Sequence, residues 1–343
     1  MGGSSRYQKA DIALPTVKIP PQSAGFDNSF TRLTGLAEKL GYERVWVVES
    51  TDREAFSQAT LLSLSSQRII VGTDIVSYFS RTPTLLAMGA LSLSEISGGR
   101  FILGIGPGGT EIIRDGHGIP FERPLSRAQE VIPILRRLLS GERFTYEGQF
   151  FDIRRDFRLR LSPEADIPIY VSAINPKMLQ LAGELADGVM LTHLPLEAIG
   201  SVKENIAIGA ARANRDPNDV HILSNQPVGV EDEGAIAALR RSMCLYLASG
   251  TFDWLVGHTE WLAVRKRIQS MWWEGRRDEA ATLVEDGFLE SFGLGYRDAT
   301  ILHRISDYLQ GGVVPILYPY GLRRGQEEND VKHLLTLAAN PTT

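Results

Sequence analysis

The sequence predicts a parallel α/β fold in which eight strands close into a single (β/α)8 barrel, a TIM barrel. Short β-rich runs recur eight times along the 343 residues, and stretches with helical spacing of apolar residues separate most of them. Residues 45–48 and 101–103 are apolar on both faces of the strand, which is typical of buried parallel strands. Eight such units close into a barrel, and α/β barrels of this length form one domain.

The predicted strands alternate with helices through the chain. The strands cover residues 10–17, 44–49, 68–76, 100–106, 167–173, 187–192, 219–230 and 312–317. Gly98 and the pair Gly311 and Gly312 mark helix ends before strands, because glycine adopts the left-handed conformation that a helix end needs. Thr82 followed by Pro83 predicts a helix start, with threonine as the N-cap.

Two segments interrupt this alternation. Residues 142–161 predict a hairpin inserted before strand five, and residues 231–292 predict a helical insertion before strand eight. The tryptophans of the second insertion either line a substrate pocket or pack the insertion's own helices, and we expect both, with Trp254 or Trp261 nearer the pocket. These tryptophans are Trp254, Trp261, Trp272 and Trp273. We predict a single domain, residues 1–343, that carries both insertions.

Composition and charge exclude several classes of protein. Lys plus Arg is 36 against 41 for Asp plus Glu, a net charge of -5 with scattered basic residues, which disfavours nucleic-acid binding. No apolar run approaches the roughly 20 residues of a membrane span, and the start lacks the apolar segment of a secretory signal. Cys244 is the single cysteine, and the six histidines show no ligand spacing, so we expect no disulfide, no metal site and a cytoplasmic location.

Residues 104–109 read Gly-Ile-Gly-Pro-Gly-Gly directly after a predicted strand. Glycines there let backbone N–H groups approach a phosphate. A dinucleotide-binding fold is disfavoured, because the next helix is delayed to about Phe121 and no acidic strand end follows at the required distance. The segment is either a loop that presents amides to an anionic coenzyme or a tight turn that needs glycine. In the next helix, Arg127 and Glu130 are three residues apart and are expected to pair.

A series of motifs, in this order, resembles the luciferase-like monooxygenase superfamily. The motifs are residues 45–50, 71–76, 80–83, 97–104, 168–173, 176–178 and 186–189. Within that superfamily the chain is most similar to the coenzyme F420-dependent branch, to which methylenetetrahydromethanopterin reductase belongs. The resemblance implies a bacterial luciferase-like barrel, coenzyme F420 with FMN as the alternative, and a homodimer.

The resemblance also implies where the coenzyme binds. Its ring would lie in the barrel mouth against a bulge in the third strand, formed by Thr73, Asp74 and Ile75, with a non-proline cis peptide at Asp74–Ile75. Phosphate contacts would come mainly from backbone amides of two loops. The loop residues are Gly106, Pro107 and Gly108 after strand four and Ala173, Ile174 and Asn175 after strand five.

Glu49 and Ser50 are the candidate catalytic residues implied by the resemblance. Glu49 matches an acidic residue at the end of strand two, and Ser50 stands where some relatives have histidine. A carboxyl there could contact the coenzyme or relay a proton, because hydride delivery to a double bond needs a proton for the other atom. The alternative is a rim carboxylate paired with Arg81. His193, at the end of strand six, faces the substrate or is an ordinary rim histidine.

The predicted function is hydride transfer between the deazaflavin and a small organic substrate, with no nucleic-acid or membrane partner. One alternative is an FMN-dependent luciferase-like monooxygenase on the same fold. The other is a non-catalytic flavin-binding or deazaflavin-binding protein. This second alternative arises because Gly109 stands where sugar-phosphate dehydrogenase relatives carry a glutamate, which also makes glucose 6-phosphate oxidation doubtful.

Overall fold

The computed structural model describes residues 11–13, 29–49, 51, 53–161 and 166–339. Its strands are β1 (Asp11–Ala13), β2 (Arg44–Val47), β3 (Ile70–Thr73), β4 (Val76–Ser77), β5 (Phe101–Gly106), β6 (Phe144–Glu147), β7 (Asp152–Phe157), β8 (Ile169–Ser172), β9 (Gly188–Thr192), β10 (His221–Gly229) and β11 (Val314–Gly321). All eight predicted barrel strands are present. The part of the first one beyond Ala13 lies outside the described residues.

The main sheet is a closed cylinder of parallel strands. Its order is β3-β2-β1-β11-β10-β9-β8-β5-β4, and an additional pairing of β3 with β5 closes the ring. β4 continues β3 beyond a bulge and pairs with β5, so the nine strands occupy eight positions around the barrel. The (β/α)8 architecture predicted from the alternation is therefore confirmed.

Helices follow the strands around the outside of the barrel. They are α1 (Ser29–Lys39), α2 (Ala55–Leu64), α3 (Pro83–Ser97), α4 (Pro124–Leu139), α5 (Pro176–Leu185), α6 (Ile199–Arg212), α7 (Glu233–Leu247), α8 (Asp253–Val256), α9 (Leu262–Trp273), α10 (Arg277–Thr282), α11 (Asp286–Ser291), α12 (Asp298–Gln310) and α13 (Glu327–Ala338). None of the helices in the described ranges is both long and apolar enough to span a membrane.

Helix boundaries follow the predicted signals with one difference. The Thr82 hydroxyl accepts the Leu85 N–H at 3.2 Å, and Pro83 lies in the first turn of α3. Gly98 caps the end of that helix with a left-handed φ of 65°. At the end of α12, Gly311 keeps a right-handed φ of -67°, so the left-handed turn falls on Gly312 alone, with φ of 70°.

The first insertion is the predicted antiparallel hairpin, β6 with β7. Its turn is held by the Glu130 carboxylate, which accepts the N–H groups of Gln149 (2.8 Å) and Phe150 (3.0 Å). The predicted pairing of Arg127 with Glu130 is wrong. The Arg127 guanidinium instead lies 4.7 Å from the Phe79 ring centre and 4.4 Å from that of Phe150, because tertiary aromatic contacts outweigh a local pair worth a few tenths of a kcal/mol, about 0.2–0.5.

The second insertion, between β10 and β11, begins with α7, which packs against both of these strands. Its tryptophans pack within the insertion: Trp261 donates its Nε1–H to Ser291 at 2.9 Å, and Trp254 lies edge-on to His258 with ring centres 5.0 Å apart. We find no contact that brings Trp254 or Trp261 toward the barrel mouth among the described residues. That residues 1–343 form one domain remains a prediction.

Side chains fill the lower part of the barrel interior. The cluster comprises Trp46, Ile102, Tyr170, Met190, Leu223, Val314 and Ile316. Because side chains alternate along a strand, the next inward position after Leu223 is Asn225, and the next after Ile316 is Tyr318. The layer that faces the carboxyl ends of the strands is therefore partly polar.

Candidate active site at the carboxyl end of the barrel

The third strand ends in a bulge that is tied to β5. The Asp74–Ile75 peptide bond is cis, as the resemblance implied. The Thr73 hydroxyl donates to the Gly104 carbonyl oxygen at 2.8 Å and accepts the Gly104 N–H at 2.9 Å. Thr73 is fully buried, so its side chain fixes the bulge. Any contact between Thr73 and the coenzyme would have to be made by backbone atoms.

Glycines let the bulge and β5 approach closely. A Cβ on Gly104 would lie 1.8 Å from the Thr73 carbonyl oxygen, and a Cβ on Gly106 would lie 2.8 Å from the Ile75 Cδ1 atom. The Gly104 contact is with a backbone atom that cannot move aside, so glycine is required there by packing, whereas at Gly106 the Ile75 and Ser172 side chains would have to shift. Ile75 is half-buried, which leaves part of its side chain facing the mouth, where the resemblance implied a contact with the ring.

The loop after β5 presents unused backbone donors. Gly108 has a left-handed φ of 80°, and the Pro107 carbonyl oxygen accepts the Ser77 hydroxyl at 2.8 Å. Within the described part of the chain, the N–H groups of Gly108 and Gly109 have no hydrogen-bond partner. Consecutive backbone donors in a glycine turn form a concavity suited to an anion.

The loop after β8 offers a second pair of donors. The Ala173 N–H donates to the Met190 carbonyl oxygen at 3.0 Å, so this amide is unavailable for the predicted phosphate contact. The N–H groups of Ile174 and Asn175 have no partner in the ranges that the structure covers, and Pro176 begins α5 directly after them. Free amides at a helix start favour an anionic group.

Glu49 forms an ion pair at the rim rather than facing open solvent. Arg81 donates Nη1–H to Oε1 of Glu49 at 2.5 Å and Nη2–H to Oε2 at 2.6 Å, and the Ala55 N–H reaches the same carboxylate at 3.1 Å. Arg81 also contacts Glu54 at 2.8 Å. Burial lowers the pKa of Arg81, but the two carboxylates outweigh it, and the pKa is raised overall. A catalytic role for Glu49 stays a prediction, and Ser50 lies outside the described residues.

Five polar side chains meet inside the mouth, and we call them the mouth cluster: Asp74, Asn225, Tyr246, Tyr318 and Tyr320. Asp74 and Asn225 are each 8% exposed. The Tyr320 hydroxyl donates to the Tyr246 oxygen at 2.6 Å, and the Tyr318 and Tyr320 ring centres are 4.4 Å apart. Burial raises the pKa of Asp74 to about 7, although the Asn225 side chain lowers it. The cluster thus combines a buried carboxyl and a buried amide with three half-buried phenols.

His193 lies behind this cluster, covered by the second insertion. It is 1% exposed, its Nδ1 is 3.2 Å from the Phe292 carbonyl oxygen, and its ring centre is 5.0 Å from that of Tyr246. Phe252 contacts the other edge of the ring, with centres 5.8 Å apart. Burial lowers the pKa of His193 to about 4, so the imidazole is neutral at neutral pH. Tyr246 and Phe252, and not the tryptophans, are the aromatic groups that the insertion brings here.

The sequence alone did not identify most of the mouth cluster. A signal existed for Tyr318 and Tyr320, which alternate directly after predicted strand eight and share a face if that strand continues. Asn225 gave a weaker signal, as one of three consecutive polar residues, 224–226, inside strand seven. Nothing in the sequence distinguishes Tyr246 from other aromatic residues on helices. The described ranges hold no group of three or more side chains that could bind a metal ion.

The fold and the site define a (β/α)8-barrel protein whose rim loops present free backbone amides beside a polar cluster. The model of the family described as luciferase-like monooxygenase matches residues 19–314. The chain therefore belongs to the luciferase-like monooxygenase family.

Individual relatives agree with this assignment. The chain is 30% identical over 289 residues to the 5,10-methylenetetrahydromethanopterin reductase of Archaeoglobus fulgidus, which covers 82% of this chain and 86% of that protein. It is 33% identical over 223 residues to the enzyme of the same name from Methanolobus tindarius, covering 64% and 67%. The solved structure of the coenzyme F420-dependent tetrahydromethanopterin reductase from Methanopyrus kandleri superposes with a TM-score of 0.79 at 22% identity, covering 97% of this chain and 98% of that one, which shows the shared fold.

Proposed function

We propose that this chain is a coenzyme F420-dependent oxidoreductase that transfers a hydride between the deazaflavin and a small organic substrate. The observation that carries the proposal is the pair of neighbouring rim loops with unused amides, at Gly108 and Gly109 and at Ile174 and Asn175. Family membership and the reductase names of the relatives from two archaea support it.

The residues present fit an anionic coenzyme with a planar ring. β5 and β8 are hydrogen-bonded neighbours, with Ile105 opposite Val171, so the two loops that follow them lie side by side and can share one phosphate. Backbone amides provide the attraction, which explains how a chain of net charge -5 can bind an anion. The half-buried Ile75 offers an apolar surface for the ring.

The bound coenzyme supplies the hydride chemistry, and the chain supplies placement and electrostatics. Tyr246 lies on the side of the mouth opposite the amides, and His193 and Phe252 pack behind it. This aromatic packing helps to exclude water from the reacting groups. We further propose a homodimer that acts on small molecules in the cytoplasm. The family resemblance supports the homodimer, and the free, buried thiol of Cys244 fits a reducing compartment.

Coenzyme binding tests the proposal directly. The purified chain is titrated with oxidised F420 and, separately, with FMN. We expect F420 to quench the tryptophan fluorescence at low micromolar concentration and FMN to leave it unchanged. Tight FMN binding without F420 binding would overturn the proposal in favour of an FMN-dependent monooxygenase.

Single-turnover oxidation of reduced F420 distinguishes an enzyme from a coenzyme carrier. The bound, reduced coenzyme is mixed with a panel of enones, imines and ketones, and its oxidation is followed by absorbance. We expect at least one of these three classes of compound to oxidise the reduced coenzyme. Binding without reaction across the whole panel would favour the non-catalytic alternative.

A further inference from the structure

We propose that the carboxyl of Asp74 exchanges the proton that accompanies hydride transfer, an assignment that rests on the proposed function and names the acid of the same site. Asp74 directly follows β3, and its N–H donates to the Val47 carbonyl oxygen at 2.7 Å. Its side chain is 8% exposed, and it forms no ion pair with any residue in the described ranges. A carboxyl in this position is held by the backbone but not neutralised by a cation.

The Asp74 carboxyl points across the barrel mouth toward the opposite strands. Asn225, on β10, is close enough to lower the pKa of Asp74. Burial raises the pKa values of Tyr246, on α7, and Tyr318, on β11, and the charge of Asp74 adds to the effect on both phenols. In the order of strands around the ring, β10 and β11 are separated from β3 by β1 and β2. The carboxyl therefore lies in the interior of the mouth, where ring and substrate would meet.

Two neighbouring acceptor atoms here have no partner. Neither Oδ2 of Asp74 nor Oδ1 of Asn225 receives a hydrogen bond within the described part of the chain. An unsatisfied buried polar atom is unfavourable by about 1–3 kcal/mol, and such atoms at a cleft mark a place for a proton or a ligand donor. A protonated Asp74 supplies a donor at this point, and a bound substrate provides the acceptor for it.

The other candidate acid is less suitable. Glu49 accepts two hydrogen bonds from Arg81 and one from the Ala55 N–H. Both carboxylate oxygens of Glu49 are therefore already occupied by donors of the protein, so neither is available to a substrate while the pair is intact. The titratable groups around Asp74 are the phenols of Tyr246, Tyr318 and Tyr320, with the neutral His193 behind Tyr246. The carboxyl is the most acidic donor among them.

In the proposed step, Asp74 donates a proton to the substrate during reduction and accepts one during oxidation. In reduction, the bound coenzyme would supply a hydride to the carbon of a substrate C=X bond, and the π electron pair of that bond would move to X. The O–H bond of Asp74 breaks as the X–H bond forms, which leaves a carboxylate that takes up a proton from solvent. In oxidation the carboxylate accepts the X–H proton while the hydride leaves carbon. The substrate class is therefore a carbonyl, imine or activated alkene, or its reduced form.

Infrared spectroscopy tests the protonation and the location of Asp74 without measuring turnover. A protonated carboxyl gives a C=O band that disappears on ionisation. We expect such a band to be lost as the pH rises through neutrality, to be absent from Asp74→Asn, and to persist in Glu49→Gln and in Asp219→Asn, an exposed carboxyl at the other end of β10. Oxidised F420 should shift the band. A band that survives in Asp74→Asn, or that does not respond to bound F420, overturns the proposal.

Kinetics and binding complete the test. With reduced F420 and the panel of enones, imines and ketones, Asp74→Asn should lower the single-turnover rate by about 100-fold or more and flatten its pH profile, whereas Asp219→Asn should match the wild type. F420 affinity should change by less than about threefold. If Asp74→Asn binds F420 normally and its kinetics are unchanged, the role of Asp74 is contradicted but the proposed function is not. Failure of the wild-type chain to bind F420 contradicts the proposed function, and this assignment with it.

Discussion

Thr73 and Gly104 exchange two hydrogen bonds through one hydroxyl group, at 2.8 and 2.9 Å. This contact joins the bulge that carries Asp74 to the strand that leads into the loop of Gly108. The Thr73 side chain therefore links the two parts of the proposed site, the buried carboxyl and the free amides.

Replacement of Gly104 by alanine should destabilise the barrel strongly. The added Cβ would lie 1.8 Å from the Thr73 carbonyl oxygen, a backbone atom that cannot move aside. We expect a loss of at least about 2 kcal/mol in the free energy of unfolding, measured by urea denaturation. Gly35→Ala is the matched control, because a Cβ there meets nothing within 4 Å in the middle of α1, and it should stabilise by roughly 0.5–1 kcal/mol. Equal effects of the two substitutions would contradict the packing argument.

The free energy of unfolding should depend on pH through the titration of Asp74. Burial raises the folded-state pKa to about 7 from an ordinary value of 3.8, so the folded state holds the proton more tightly than the unfolded state. This contribution to stability is complete below about pH 4 and is lost as the pH rises through 7. Relative to wild type, Asp74→Asn should gain about 1.4 kcal/mol per pH unit across that window and then level off. Parallel curves of unfolding free energy against pH for the two proteins would show that Asp74 titrates normally.

The ion pair of Glu49 and Arg81 should be energetically coupled. Their side chains are only 18% and 13% exposed, so solvent screens the pair weakly. A double-mutant cycle with Glu49→Gln and Arg81→Met should give a coupling free energy of about 1–3 kcal/mol in urea denaturation. The pair Arg114 and Asp115, at 59% and 60% exposure, is the control and should show no measurable coupling. Strict additivity at Glu49 and Arg81 would mean that the pair does not stabilise the rim.

Replacement of Gly108 by alanine should weaken coenzyme binding. Both Gly108 (φ 80°) and Gly118 (φ 67°) have left-handed backbones, so alanine is strained at either position. Only at Gly108 does the added Cβ approach its surroundings, at 3.3 Å from the Ser77 hydroxyl, and so reorient the free amides. We expect the Kd for F420, from fluorescence quenching, to rise at least about tenfold in Gly108→Ala and to change little in Gly118→Ala. Equal Kd values would place the coenzyme phosphate elsewhere.

The fold was predictable because each βα unit is encoded locally. Apolar runs such as residues 101–103 and the helix start at Thr82 and Pro83 depend on neighbours in sequence. The amide loops and the cis peptide followed from the resemblance, and the peptide is observed. Local rules failed where distant residues meet. Arg127 contacts two aromatic rings instead of Glu130. The tryptophans pack their own insertion, as expected, but no contact within the described residues brings Trp254 or Trp261 to the mouth.

The assembly of the mouth cluster could not be predicted for the same physical reason. Asp74, Asn225, Tyr246 and Tyr318 come from four different elements, and their proximity depends on closure of the ring. Polar character alone did not indicate which of the many polar rim residues would be buried. Asp74 was expected to contact the coenzyme because of its place in the bulge. That its side chain faces Asn225 and Tyr318 on the opposite strands is evident only from the structure.

Around the closed ring of strands, the free amides and the polar side chains opposite them occupy two separate arcs of the barrel opening. One arc, from β3 through β5 to β8, carries the free amides, and the other, from β9 to β11 with the adjoining α7, carries the amide and phenol side chains. Changes in the second arc can therefore alter which molecule fits without disturbing the free amides of the first. Related barrels can diversify in their target molecules by exchanging one half of the opening while inheriting the other half intact.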